Sequence, residues 1–168
     1  YGIALRISDI SNTLLIVGGT VLGPKISYLF SNNKKHEMEE LLQGATKILS
    51  LFGFLGLIIV IFFGSTILKI WGAEFVEAYW MLVILNIGRF FSLTFGLAVM
   101  TLTLCGEEKL WSKMMFYFAI SNIILNYILI TMLGNIGAAI ATASLLIITT
   151  SLGFYFVKKR LDILILKW

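Results

Sequence analysis

Residues 76–104 read VEAYWMLVILNIGRFFSLTFGLAVMTLTL, an apolar run with Glu77 at its start and Arg89 near its middle. A helix needs roughly 20 predominantly apolar residues to cross the hydrocarbon core of a bilayer, and this stretch supplies them. An arginine at the centre of such a helix costs on the order of 2.5–3.5 kcal/mol on insertion scales. Two arrangements relieve that cost: a carboxylate partner inside the bundle, or a hydrated cavity in which the guanidinium meets an anion. At about 100° per residue, Ala78, Asn86, Ser92, Gly96, Met100 and Thr103 fall near the direction of Arg89. Trp80, Ile84, Ile87, Phe91, Phe95 and Leu102 fall roughly opposite. One side of the helix is small and polar, the other large and apolar.

The rest of the chain is of the same kind. Its 168 residues are 59% hydrophobic and 13% charged, with a mean hydropathy of +0.96. Soluble domains carry about 25% charged residues, so the composition excludes that class and indicates an integral membrane protein. Hydropathy divides the chain into about five spans, over residues 3–30, 48–68, 76–104, 111–133 and 138–157, the second preceded by an amphipathic stretch from about Glu37. The connections at 31–36, 69–75, 106–109 and 134–137 are short, which makes neighbouring spans antiparallel. The expected fold is an all-α, polytopic up-down helical bundle.

Orientation follows from the basic residues. Lys34, Lys35, Lys109, Lys113, Lys158, Lys159 and Arg160 collect on one side, while the other offers mainly Lys69. By the positive-inside rule the lysine-rich side and the C-terminus are cytoplasmic. The same loops account for the net charge of +4, so it does not indicate nucleic acid. Trp71, Tyr79, Trp80 and Trp111 lie near span ends, where interfacial aromatic belts form. Tyr1 opens the chain without a signal-peptide pattern, consistent with a piece of a larger protein that lacks earlier spans.

The first span carries a second polar stripe. Arg6, Asp9, Asn12, Thr13, Thr20, Gly23 and Ser27 share one face, against Ile7, Ile10, Leu14, Val17 and Val21 elsewhere. Such a stripe lines a cavity; alternatively Arg6 and Asp9, three residues apart, form a solvated pair at the outer interface. Asp9 is the carboxylate placed to carry a coupling proton or cation, since Glu77 belongs to a span end. Asn122 and Asn126, one turn apart on the fourth span, fit interhelical hydrogen bonding or sugar contact. Residues 137–144, GAAIATAS, form a small-residue packing surface. Pro24 is expected to kink its helix, and His36, Glu37, Glu39 and Glu40 to be solvated. One His and one Cys leave no nucleophilic, metal or disulfide set, and no phosphate loop or cofactor motif is present.

Several motifs occur in succession. Residues 22–30, LGPKISYLF, precede Lys34 and Lys35; residues 71–79 read WGAEFVEAY; residues 104–109 read LCGEEK. Residues 134–143, GNIGAAIATA, are followed by 157–161, VKKRL. In this order and spacing they resemble the polysaccharide transporter branch of the multidrug/oligosaccharidyl-lipid/polysaccharide exporter superfamily, over nearly the whole chain. The chain departs from the pattern at Cys105, where the family loop carries threonine, and at Arg89, where the family position is often neutral and polar.

The resemblance implies the last five helices of a twelve-helix, two-bundle flippase in the bacterial inner membrane. Its implied substrate is an undecaprenyl-diphosphate-linked oligosaccharide, with the polysaccharide polymerase machinery as a further partner. Arg89 and Arg6 would then meet the diphosphate, and Asn12, Asn86, Asn122 and Asn126 the sugars. A cation-coupled drug antiporter of the same superfamily would need acidic cavity residues, whereas the deep charge here is basic. A non-transporting membrane scaffold would need both polar faces packed shut.

Overall fold

Hydrocarbon leaves no partner for an unpaired backbone amide, so each apolar segment closes its hydrogen bonds within itself. The computed structural model describes residues 2–165. They form helices α1 (Gly2–Ser31), α2 (Lys35–Lys69), α3 (Tyr79–Leu104), α4 (Glu108–Leu133) and α5 (Asn135–Phe156). A 3₁₀ turn (Ala73–Ala78) leads into α3, a π turn (Val157–Leu161) follows α5, and there is no strand among the described residues. All five long helices are apolar enough to cross a membrane. The protein is a multi-pass membrane protein with an all-α helical-bundle fold. α1 remains helical through Pro24. α2, at 35 residues, is longer than a hydrocarbon core of about 30 Å requires at about 1.5 Å per residue.

α3 is the hub. It packs along α5, α2 and α1, while α4 docks chiefly on α5. Two apolar clusters fill the seams, one around Leu82 and Leu85 with Ala4, Val60 and Leu68, the other around Leu93 and Leu97 with Ile26, Met38 and Leu42. Arg89 falls in the interval between them along α3.

Lipid tails are as apolar as leucine, so close packing rather than water exclusion drives helix association here. The seams meet that requirement with small residues. A Cβ on Gly88 would stand 2.9 Å from the Ala143 Cα of α5, and one on Gly137 only 2.0 Å from the Leu129 carbonyl oxygen of α4. At both places the obstacle is backbone, which has no side-chain rotamer to yield.

Beyond α5 the chain turns back. Asp162, at φ 51° and ψ 45°, reverses it, and residues 163–165 lie against the first turns of α2. Ile163 and Ile165 are 3% and 1% exposed. Lys35 Nζ is 2.7 Å from Asp162 Oδ2. Gln43 Nε2 donates to the Leu164 carbonyl at 2.8 Å, and the Leu164 N–H donates to Glu39 Oε1 at 2.9 Å. Glu39 therefore holds this strap rather than standing only in water, a long-range contact that local sequence does not encode. His36 and Glu40 remain exposed, with Nδ1 and Oε1 3.6 Å apart. The hydrogen bond from Lys35, and then its charge, keep the Asp162 carboxyl below its ordinary value.

Two comparisons test this packing by thermal unfolding in detergent. Gly88→Val should destabilise the protein by about 1–3 kcal/mol through overpacking. Gly44→Ala, at a helical position with nothing within 4 Å of the added carbon, should leave stability unchanged or raise it by about 0.5–1 kcal/mol. For the strap, Ile165→Ala should cost about 2–5 kcal/mol, and Asp162→Ala far less because that pair is exposed and screened. Because the folded Asp162 value is lowered, its tether is complete above the ordinary carboxylate range and is lost as pH falls through the lowered value.

Candidate functional site

Arg89 occupies the α3 face turned toward α1. Its neighbour Gly88 lets α5 close on the adjoining face. Arg89 Nη2 donates to Asp9 Oδ1 of α1, and Arg89 Nε donates to Ser8 Oγ at 3.4 Å. The two side chains are unequally covered: Arg89 is 13% exposed and Asp9 47%. The cation is sequestered, and its counter-ion stands on the open side. Ser8 is fully buried.

This arrangement settles which partner Asp9 takes. The sequence allowed a local pair with Arg6; the carboxylate instead bridges to another helix, where it neutralises a largely buried charge. The attraction between the two charges grows as the surrounding dielectric falls and offsets part of the cost of taking the guanidinium out of water. Arg6 stays exposed and, with Gly2, Ile3 and Trp71, lines a separate surface cavity of about 330 Å³.

The other polar candidates are distributed differently. Asn12, one turn beyond Asp9, is half-buried, and Thr13 and Thr20 are exposed along the same side of α1. Asn86 is enclosed at 5% exposure, with Nδ2 donating to the Leu82 carbonyl at 2.9 Å. Its amide thus serves its own helix within the packed interior. On α4, Asn126 Nδ2 donates to Asn122 O at 3.0 Å and to Asn122 Oδ1 at 2.5 Å. The bonds between Asn122 and Asn126 are intrahelical, where an interhelical bond was expected. α4 sits chiefly against α5 and not against α1, so this pair is not part of the α1–α3 seam.

Ser8 is the participant that sequence reasoning missed. Its signal is a small-residue stripe on α1, Ala4, Ser8, Gly19 and Gly23, all buried. That stripe marks the seam, and a hydroxyl within it is positioned to meet a polar group from the facing helix. No group of three or more His, Cys, Asp or Glu gathers among the described residues. The lone Cys105 is buried at the end of α3, and burial pushes its thiol up to about 11, which keeps it protonated and unreactive at neutral pH.

A double-mutant cycle on Arg89→Ala and Asp9→Ala measures the pair directly. The coupling energy from detergent unfolding should lie at about 0.5–3 kcal/mol. Asp9→Ala alone should be the most damaging of the three variants, because it strands a sequestered cation. Strictly additive single effects would show that the two side chains do not interact.

No family model, curated protein or solved structure matches the chain.

Proposed function

We propose that this chain is the C-terminal lobe of a bacterial inner-membrane flippase that carries an undecaprenyl-diphosphate-linked oligosaccharide from the cytoplasmic to the outer leaflet. The observation that carries the reading is the Arg89–Asp9 pair: a sequestered intramembrane cation held by a half-exposed carboxylate on a different helix. The carboxylate is the open member of the pair, so an incoming anion has an approach to the guanidinium from the Asp9 side. A diphosphate arriving from that side offers Arg89 the same chemistry as the Asp9 carboxylate, with more charge and more acceptor oxygens. Exchange of one anion for the other would remove the polar tie between α1 and α3 and leave only their apolar packing, the kind of change at a helix seam that alternating access uses.

Within this reading Arg89 binds the diphosphate and Asp9 is its resident counter-ion and the carrier of any coupling proton or cation. Asn12 is the asparagine best placed for sugar contact, being half-buried one turn from Asp9. Asn86, Asn122 and Asn126 then serve the helices themselves. The lysine-rich end, including Lys158, Lys159 and Arg160, faces the cytoplasm. Seven further helices would complete a twelve-helix, two-bundle transporter, and the polymerase machinery would receive its product. The chain contributes binding and movement rather than catalysis.

The scaffold reading draws on one specific observation, the low exposure of Arg89. Transport separates the two. Full-length protein in proteoliposomes should flip a labelled lipid-linked oligosaccharide, and Arg89→Ala should slow flipping about tenfold or more, the loss expected for one charge-assisted hydrogen bond. Arg89→Lys should retain part of the rate. Unchanged flipping in Arg89→Ala would remove Arg89 from the mechanism. Absence of flipping in the wild type would sink the flippase reading, in favour of an antiporter if drugs are exported and of a scaffold if nothing moves.

A further inference from the structure

Between α2 and α3, away from the Arg89 seam, the surface holds an open groove of about 430 Å³ lined by Lys47, Ser50, Leu51, Phe54, Phe90 and Thr94. Both hydroxyl groups in it are already engaged with their own helices. Ser50 Oγ donates to the Lys47 carbonyl at 3.0 Å, and Thr94 Oγ1 donates to the Phe90 carbonyl at 2.9 Å. The groove therefore offers an occupant an almost wholly apolar wall, with the exposed side chain of Lys47 at its border. The Lys47 ammonium is in none of the ion pairs formed among the described residues.

The position of Lys47 along α2 gives the groove a direction. Residues 48–68 form the apolar part of the helix, and the charged segment with Lys34 and Lys35 precedes it. Lys47 thus stands at the boundary between headgroups and hydrocarbon. Phe54 lies seven residues further on, about 10 Å deeper into the hydrocarbon layer. Leu51 and Phe54 are 58% and 52% exposed, so the groove opens sideways at the depth of lipid tails. An occupant must then be an alkyl chain with an anionic group at the end nearest Lys47.

We propose that this groove is a binding site for an anionic glycerophospholipid of the leaflet on the lysine-rich side. Its phosphate pairs with Lys47, and one acyl chain lies along Leu51, Phe54 and Phe90. Soluble polar ligands are disfavoured by the engaged hydroxyls and by the depth of the opening. Zwitterionic lipids bring their own ammonium beside Lys47 and gain less. The inference rests on the membrane-spanning fold alone and is independent of the flippase reading.

Native mass spectrometry of the full-length protein, titrated with phosphatidylglycerol or phosphatidylethanolamine of matched chains, tests it. Wild type should retain one phosphatidylglycerol in preference to phosphatidylethanolamine, and Lys47→Gln should reduce that preference about fivefold, the effect of one lysine at an anionic surface. Leu51→Trp, at an exposed position that folding tolerates, should displace either lipid by filling the groove. Lys113→Gln, on α4, should change nothing. Equal retention of the two lipids by wild type would overturn the anionic assignment. Retention unaffected by Leu51→Trp would overturn the site itself, as would a disulfide between Leu51→Cys and a cysteine on another helix of the full-length protein.

Discussion

The structure depends on how closely other helices approach α3. In a bilayer, burying leucine against leucine gains little over leaving it in lipid, so stability comes from surfaces that fit at short range. Gly88 gives α5 access at Ala143, and Gly153 of α5 meets Val99. Gly96 of α3 receives Leu15 of α1, and Gly19 and Gly23 of α1 receive Met100. Along the α1 seam small residues on one helix alternate with larger side chains on the other, and at Gly88 and Ala143 of the α5 seam two small residues meet. This is what lets one helix serve as the centre for three neighbours, and what fixes the rotation that points Arg89 at α1.

That rotation creates the candidate site. A guanidinium between two apolar clusters has a strong demand for a counter-charge, and α1 meets it with Asp9 and Ser8. With Asp9 committed to Arg89, the close packing of α1 on α3 carries a polar tie as well as its glycine contacts. In the proposed transporter, an anion competing for Arg89 would act on helix packing as well as on binding.

The two ends of the bundle are built differently. On the lysine-rich side α2 extends beyond its apolar segment, and the strap at 162–165 returns to brace it through buried isoleucines and three polar contacts. α4 is held mainly by α5, with Trp111 its one buried residue. Most of its large side chains face outward, as befits a surface in contact with lipid. The groove at Lys47 lies between α2 and α3 and is open among the described residues.

Much of this was legible in the residues. Segment length and hydropathy determined the five helices, because hydrocarbon permits no other way of satisfying the backbone. The amphipathic start of α2 and the small-residue character of residues 137–144 also follow from local pattern. Arg89 could be singled out because its cost is set by depth, which sequence position encodes. Its partner could not. Asp9 and Arg89 are 80 residues apart, and helical periodicity places each on a face of its own helix without saying which faces meet. For the same reason Asn86 looked like a companion of Arg89 yet lies enclosed, Asn122 and Asn126 bond within their helix, and Glu39 reaches the strap. Local chemistry determined what each helix is; only the tertiary packing, through close approaches at particular glycines, decided which charges and amides share a seam.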